Sequence, residues 1–141
     1  MSETPILLPC AGLAGLTAAV WVRLYWERIG EMRAKRIAPQ ALSTSAQARD
    51  RLQLTCAADN FRNLFEMPVL FYALCLGLAV AGLATPLFVA MAWTYVVLRA
   101  LHSFIHTTYN RVMHRFTVYA ASSVLLFAMW GLFAARLLAA G

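Results

Sequence analysis

Charge is what this sequence has least of. Only 13% of its 141 residues are Asp, Glu, Lys or Arg, about half the share usual in soluble domains. Hydrophobic residues make up 62%, and so few polar groups could not cover a soluble fold of this size. Acid is scarcer still, with six Asp and Glu against twelve Lys and Arg and a net charge of +6. Three stretches carry no charge at all: Thr4 to Val22, Met67 to Leu98 and Phe116 to Ala135. A hydrocarbon core about 30 Å thick needs roughly 20 apolar residues in a helix. The first and third stretches each fit one span. The middle one is interrupted at Gly82 and at Thr85-Pro86, so it reads as parts of two helices joined by a tight turn. Cysteine is scarce as well. Cys10, Cys56 and Cys75 form no CxxC pair and all fall at or within apolar segments. They read as small buried hydrophobes rather than a redox or zinc motif. The start, Met1-Ser2-Glu3-Thr4-Pro5, lacks the basic region and cleavage site of a signal peptide, so the first span is expected to be retained. There is no internal repeat and no low-complexity run.

These absences leave an all-α, integral membrane four-helix bundle in one domain over residues 1–141. Its helices are expected at about 5–31, 55–83, 86–109 and 116–139, with a long loop at about 32–54. Pro86 suits the first turn of a helix. Pro68 falls inside the second span and is expected to kink it, with neighbouring helices covering the freed carbonyl. The stretch 37–48 (IAPQALSTSAQA) reads as a polar linker. Arg28, Arg33, Lys35, Arg36, Arg49 and Arg51 crowd the first connection, and Arg111 and Arg115 the third, while the second has no charge. Excess Lys and Arg mark cytoplasmic loops, so both termini are expected on the non-cytoplasmic side. Basic residues at membrane boundaries are explained by topology and anionic headgroups. No nucleic-acid partner is expected; membrane lipids are.

The polar residues within the spans carry the chemistry. Ionisable side chains at bilayer depth cost at least about 2.5–3.5 kcal/mol each, and persist where they face a bundle interior and find partners. The second helix carries Asp59, Arg62, Asn63 and Glu66 at i, i+3, i+4, i+7, which is one helical face. The third carries Arg99, His102, Ser103, His106, Tyr109 and Asn110; the fourth Arg115, Tyr119, Ser122 and Ser123. Two readings stand. One is a hydrogen-bonded network that fixes packing, in which Asp59, Arg62 and Glu66 form a closed ion cluster. The other is a pocket for a charged ligand, anionic because arginines outnumber acids and bind carboxylates in a bidentate fork. His102 and His106 stand at i, i+4, a spacing that can chelate a metal, but further ligands are lacking beyond His114 and Glu66. No metal site is expected.

Arg62-Asn63-Leu64-Phe65-Glu66 followed by Pro68, in a second membrane helix, resembles the RNxxE signature of the MAPEG family. These are membrane-associated proteins of eicosanoid and glutathione metabolism. Arg99-Ala100-Leu101-His102 is similar to that family's RxxH element, and Arg115 with Tyr119 to its fourth-helix arginine and tyrosine. Residues 60–63 and 108–115 resemble a bacterial branch, which implies a bacterial inner-membrane location. The resemblance implies a homotrimer with glutathione bound between subunits near the cytoplasmic side. It implies that Arg62, Asn63, Glu66, Arg99, His102 and Tyr119 bind the tripeptide. It further implies that Arg115 and a first-helix arginine, Arg28 in preference to Arg23, serve the reacting thiol. The activity implied is that of a glutathione-dependent transferase or peroxidase acting on a lipophilic small molecule. Two positions depart from the pattern. Asp59 stands where glutathione-using members tend to have arginine, and His106 where several have tyrosine. The alternative is a non-catalytic scaffold or lipid-binding protein that retains the fold.

Overall fold

The computed structural model describes residues 4–140, and all the regular structure among them is helical. The elements are α1 (Thr4–Lys35), a short 3-10 turn (Pro39–Leu42), α2 (Ser45–Arg51), α3 (Cys56–Asn63), α4 (Met67–Val80), α5 (Pro86–Thr107) and α6 (Val112–Ala140). Four segments are long and apolar enough to cross a membrane: α1, α3 with α4, α5 and α6. The chain is therefore built as an all-α bundle of four membrane-spanning segments.

The second span departs from the single helix expected over 55–83. It breaks at residues 64–66 into α3 and α4. Pro68 is the cause. It has no N–H to give the Leu64 carbonyl, and its ring crowds that carbonyl out of helical register. The break also releases the neighbouring Asn63 carbonyl, which accepts from Arg99 Nη2 on α5 at 3.1 Å. The span also ends earlier, at Val80, because Gly82 adopts φ +66°. Leu83 N–H then returns to the Leu78 carbonyl (3.0 Å) and Gly82 N–H to the Ala79 carbonyl (3.3 Å), a Schellman closure.

Helix α1 runs past its expected end at Glu31 to Lys35, and Lys35 and Glu31 pair at 2.5 Å across its last turn. It closes in the same Schellman manner, with Ile37 N–H on the Met32 carbonyl at 2.9 Å. Here the left-handed residue is Arg36 (φ +52°), at a cost of about 1 kcal/mol against glycine. The connection that follows is more ordered than a polar linker. Thr44 accepts from Gln47 N–H while Gln47 Oε1 accepts from Thr44 N–H, a capping box that starts α2. The Thr-x-x-Gln spacing carries that signal in the sequence.

Helix α5 lies centrally, packed on α1, α3 and α6, while α4 contacts α1 and α6. The apolar core, with Leu13, Phe71, Leu74, Tyr95 and Met129 fully buried, occupies the half nearer the termini. The half nearer the 36–55 and 108–111 connections is where buried polar groups gather: Asn60, Arg99, His102, Ser103 and His106.

Candidate functional site

Three helices bring the sequence-singled polar residues to the loop end of the bundle. An open cleft of about 330 Å³ there is lined by Arg49, Asp59, Arg62, Asn63, Glu66, His106 and Arg115. A second cleft of about 200 Å³ adjoins it, lined by Asn63, His102, Val112, Arg115, Phe116 and Tyr119. Asn63 and Arg115 belong to both and form the wall between them. A narrow recess of about 30 Å³ is lined by Arg28, Arg49, Asp59 and Arg62 among others, and so meets the first cleft at α3.

The helix break decides what the acids do. On an unbroken helix Arg62 and Glu66 would stand one turn apart and pair. With α3 ending at Asn63, that register is lost. Arg62 instead meets Asp59 at 3.9 Å, with both side chains nearly half exposed, a pair worth little on its own. Glu66 has no ion pair and no side-chain hydrogen bond among the described residues. The closed Asp59–Arg62–Glu66 cluster therefore does not form. Glu66 stands at the N-cap of α4, where the helix dipole favours a carboxylate, and it faces the cleft with its oxygens free.

Arg115, at the start of α6, is held by Asn110, whose Oδ1 accepts from Nη1 at 2.8 Å. Asn110 is set by its own left-handed backbone (φ +43°) and by its N–H to the Ile105 carbonyl at 2.8 Å, the closure of α5. The end of one helix thus aims the arginine of the next. His102 Nδ1 lies 3.2 Å from the Arg115 carbonyl, and its ring lies 5.7 Å from that of Tyr119. Asn60, fully buried, accepts from Ser103 Oγ at 3.3 Å and ties α3 to α5.

Arg99 is the exception among the expected ligand contacts. It is fully buried and lines neither cleft. Its guanidinium caps the C-terminal end of α3 at the Asn63 carbonyl, where a cation suits the dipole, and lies 5.5 Å over the Tyr119 ring. Its Nε and Nη1 have no protein partner, and neither do His102 Nε2, His106 Nδ1 and Asn60 Nδ2. Buried polar groups without a protein partner are ordinarily met by water or a polar ligand. His102 and His106 stand with ring centroids 5.7 Å apart; no set of three metal-ligating side chains gathers among the described residues.

The two first-helix arginines behave differently. Arg23 is spent on Glu27 (2.8 Å) and on the Thr107 carbonyl that ends α5. Arg28 lines the recess beside Asp59 and Arg62, with its Nε buried and unpartnered. Two contributors carry no motif in the sequence. Arg49 reaches the cleft from α2, which only the folded connection brings near α3. Glu31 anchors that connection: its carboxylate accepts from Gln53 N–H (2.7 Å), Leu54 N–H (3.0 Å) and Lys35. Its distance in sequence from residues 53–54 hides this role.

No curated protein and no solved structure matches the chain significantly. The family model described as MAPEG family does, and it matches residues 6–135, which include all four spans apart from their outermost ends and every residue of the clefts. With four apolar spans and the motif-bearing residues gathered at one end of the bundle, the chain belongs to the MAPEG family.

Proposed function

We propose that this protein binds glutathione in the paired clefts and uses it as a transferase or peroxidase on a lipophilic substrate that arrives from the bilayer. The observation that carries this reading is the free Glu66 carboxylate in a cleft with Arg49, Arg62 and Arg115. Glutathione has two carboxylates and one ammonium. Guanidinium groups in excess over acids, with one acid left unpaired, are the complementary set. Glu66 would take the ammonium; Arg62 and Arg49 would take carboxylates; Asn63 lies between the clefts to fix the peptide backbone.

When bound, glutathione supplies a nucleophilic sulfur. The chain's part is to orient that sulfur and hold a positive charge near it. Arg115, half-buried and fixed by Asn110, stands where the two clefts meet, and a fixed cation lowers a thiol's pKa. Tyr119 and His102 wall the second cleft on the same side. Arg28 adds a second unpaired guanidinium behind Arg62. Arg99 belongs to the site through the Asn63 carbonyl that it holds. The first cleft is open on the α3 side, where Arg62 and Glu66 are exposed. A neighbouring copy in a homotrimer, the assembly general in the family, would close it. By the distribution of Lys and Arg the clefts open to the cytoplasm.

Calorimetry on the purified protein in detergent tests the reading. Glutathione should bind at millimolar concentration or below, and Arg62→Ala or Glu66→Ala should abolish the heat. No binding by the parent protein at millimolar glutathione overturns it. Turnover of a lipophilic aryl halide against a lipid hydroperoxide separates transferase from peroxidase.

One observation favours the scaffold reading: Asp59 already stands against Arg62 at 3.9 Å. If the pair exists for assembly, Asp59→Ala and Arg62→Ala both lower the melting temperature of the oligomer. Unchanged melting in both variants removes that reading.

A further inference from the structure

Helix α1 has 32 residues, about 48 Å at 1.5 Å per residue, against a hydrocarbon core of about 30 Å. Its last turns therefore stand in the headgroup layer. Trp21, Tyr25 and Trp26 mark that boundary: all three are exposed, Trp26 at 81%, as aromatic side chains at a membrane interface are. Just beyond them Ile29, Met32, Ile37 and Pro39 wall a groove of about 410 Å³, with Arg33 and Arg36 on its rim. Both arginines are exposed, and neither side chain has an ion pair or hydrogen bond among the described residues. The nearby acids are engaged elsewhere, Glu27 with Arg23 and Glu31 with Lys35 and the 53–54 backbone.

A cation near a helix C-terminus is favoured by the dipole, and that accounts for Arg33. It does not account for Arg36. This residue holds the left-handed position of the α1 closure at φ +52°, a conformation in which glycine is at ease and a side chain is not. A strained residue whose side chain has no ion pair or hydrogen bond among the described residues, on the rim of an apolar groove at headgroup depth, points to a partner outside the chain.

We propose that this groove is a binding site for one anionic phospholipid, its phosphate on Arg33 and Arg36 and the start of an acyl chain along Ile29, Met32, Ile37 and Pro39. A basic pair above an apolar wall matches the amphiphile in both charge and polarity. The site shares no lining residue with the glutathione clefts and does not depend on that reading.

Native mass spectrometry of the detergent-purified protein titrated with phosphatidylglycerol or phosphatidylcholine provides the test. The parent should retain phosphatidylglycerol in preference. Arg36→Gly and Arg33→Gln should each weaken that retention about fivefold and leave phosphatidylcholine unchanged. Arg36→Gly removes the strain along with the charge, so its melting temperature should match or exceed the parent's, which separates lost binding from lost folding. Equal retention of both lipids by the parent overturns the proposal, as does undiminished preference in both variants. Displacement of the lipid by inorganic phosphate at low millimolar concentration assigns the site to a free anion and also overturns it. So does dissociation of the oligomer in the variants with lipid retention unchanged, which assigns the groove to a second copy.

Discussion

Asp59 and Glu66 are both acids on the cleft wall, yet they act in opposite senses. Glu66 is free for a cation, while Asp59 sits against Arg62 at 3.9 Å and weakens it as an anion clamp. Removing one exposed charge at this separation is worth about 1 kcal/mol. Asp59→Asn is therefore expected to tighten glutathione binding about fivefold, read by calorimetry, with little effect on melting. Unchanged or weaker affinity would mean that Arg62 does not meet the ligand's carboxylate. Asp59 is visible in the sequence as a departure from the family's motif. What it does to Arg62 depends on a distance that the sequence does not contain.

Two short segments decide where the clefts lie. Glu31 holds residues 53–54 by two backbone N–H groups, and so fixes how the chain enters α3. Glu31→Ala leaves both N–H groups without that acceptor and frees Lys35, a loss of about 3 kcal/mol. The variant should melt lower in detergent and bind glutathione more weakly, whereas Glu31→Gln should fall between it and the parent. The break at residues 64–66 is the second. In Pro68→Ala the helix can close through, with Met67 N–H competing with Arg99 for the Asn63 carbonyl. Helicity by circular dichroism should hold or rise while glutathione affinity falls on the order of tenfold, because Glu66 returns to the Arg62 register. Retained affinity would show that the break does not shape the site. A kink at Pro68 is legible from proline chemistry. That it uncouples Glu66 from Arg62, and that the cap on α3 is Arg99, is not, since both depend on how α5 lies against α3.

At the scale of the whole molecule, the clefts occupy one end of the bundle and the apolar core the other. A single cysteine placed at Gln40, in a background with Cys10, Cys56 and Cys75 replaced, should react with a membrane-impermeant maleimide only from the cytoplasmic face. Labelling from the opposite face would reverse the topology and put the site outside. Four spans and the end that carries the polar stripes follow from the sequence alone. Charge-free runs of membrane length leave the backbone no structure but helices, and helical period puts Asp59, Arg62 and Asn63 on one face. Pairing among those polar groups was decided by the tertiary structure. Arg28, Arg49 and Arg62 come from three elements, Arg23 is consumed at the end of α5, and Arg99 is turned inward as a cap. Periodicity reports the face of a helix on which a residue lies. Which charge meets which is set by the packing of one helix on another, and here by a proline that breaks the period between Asn63 and Met67.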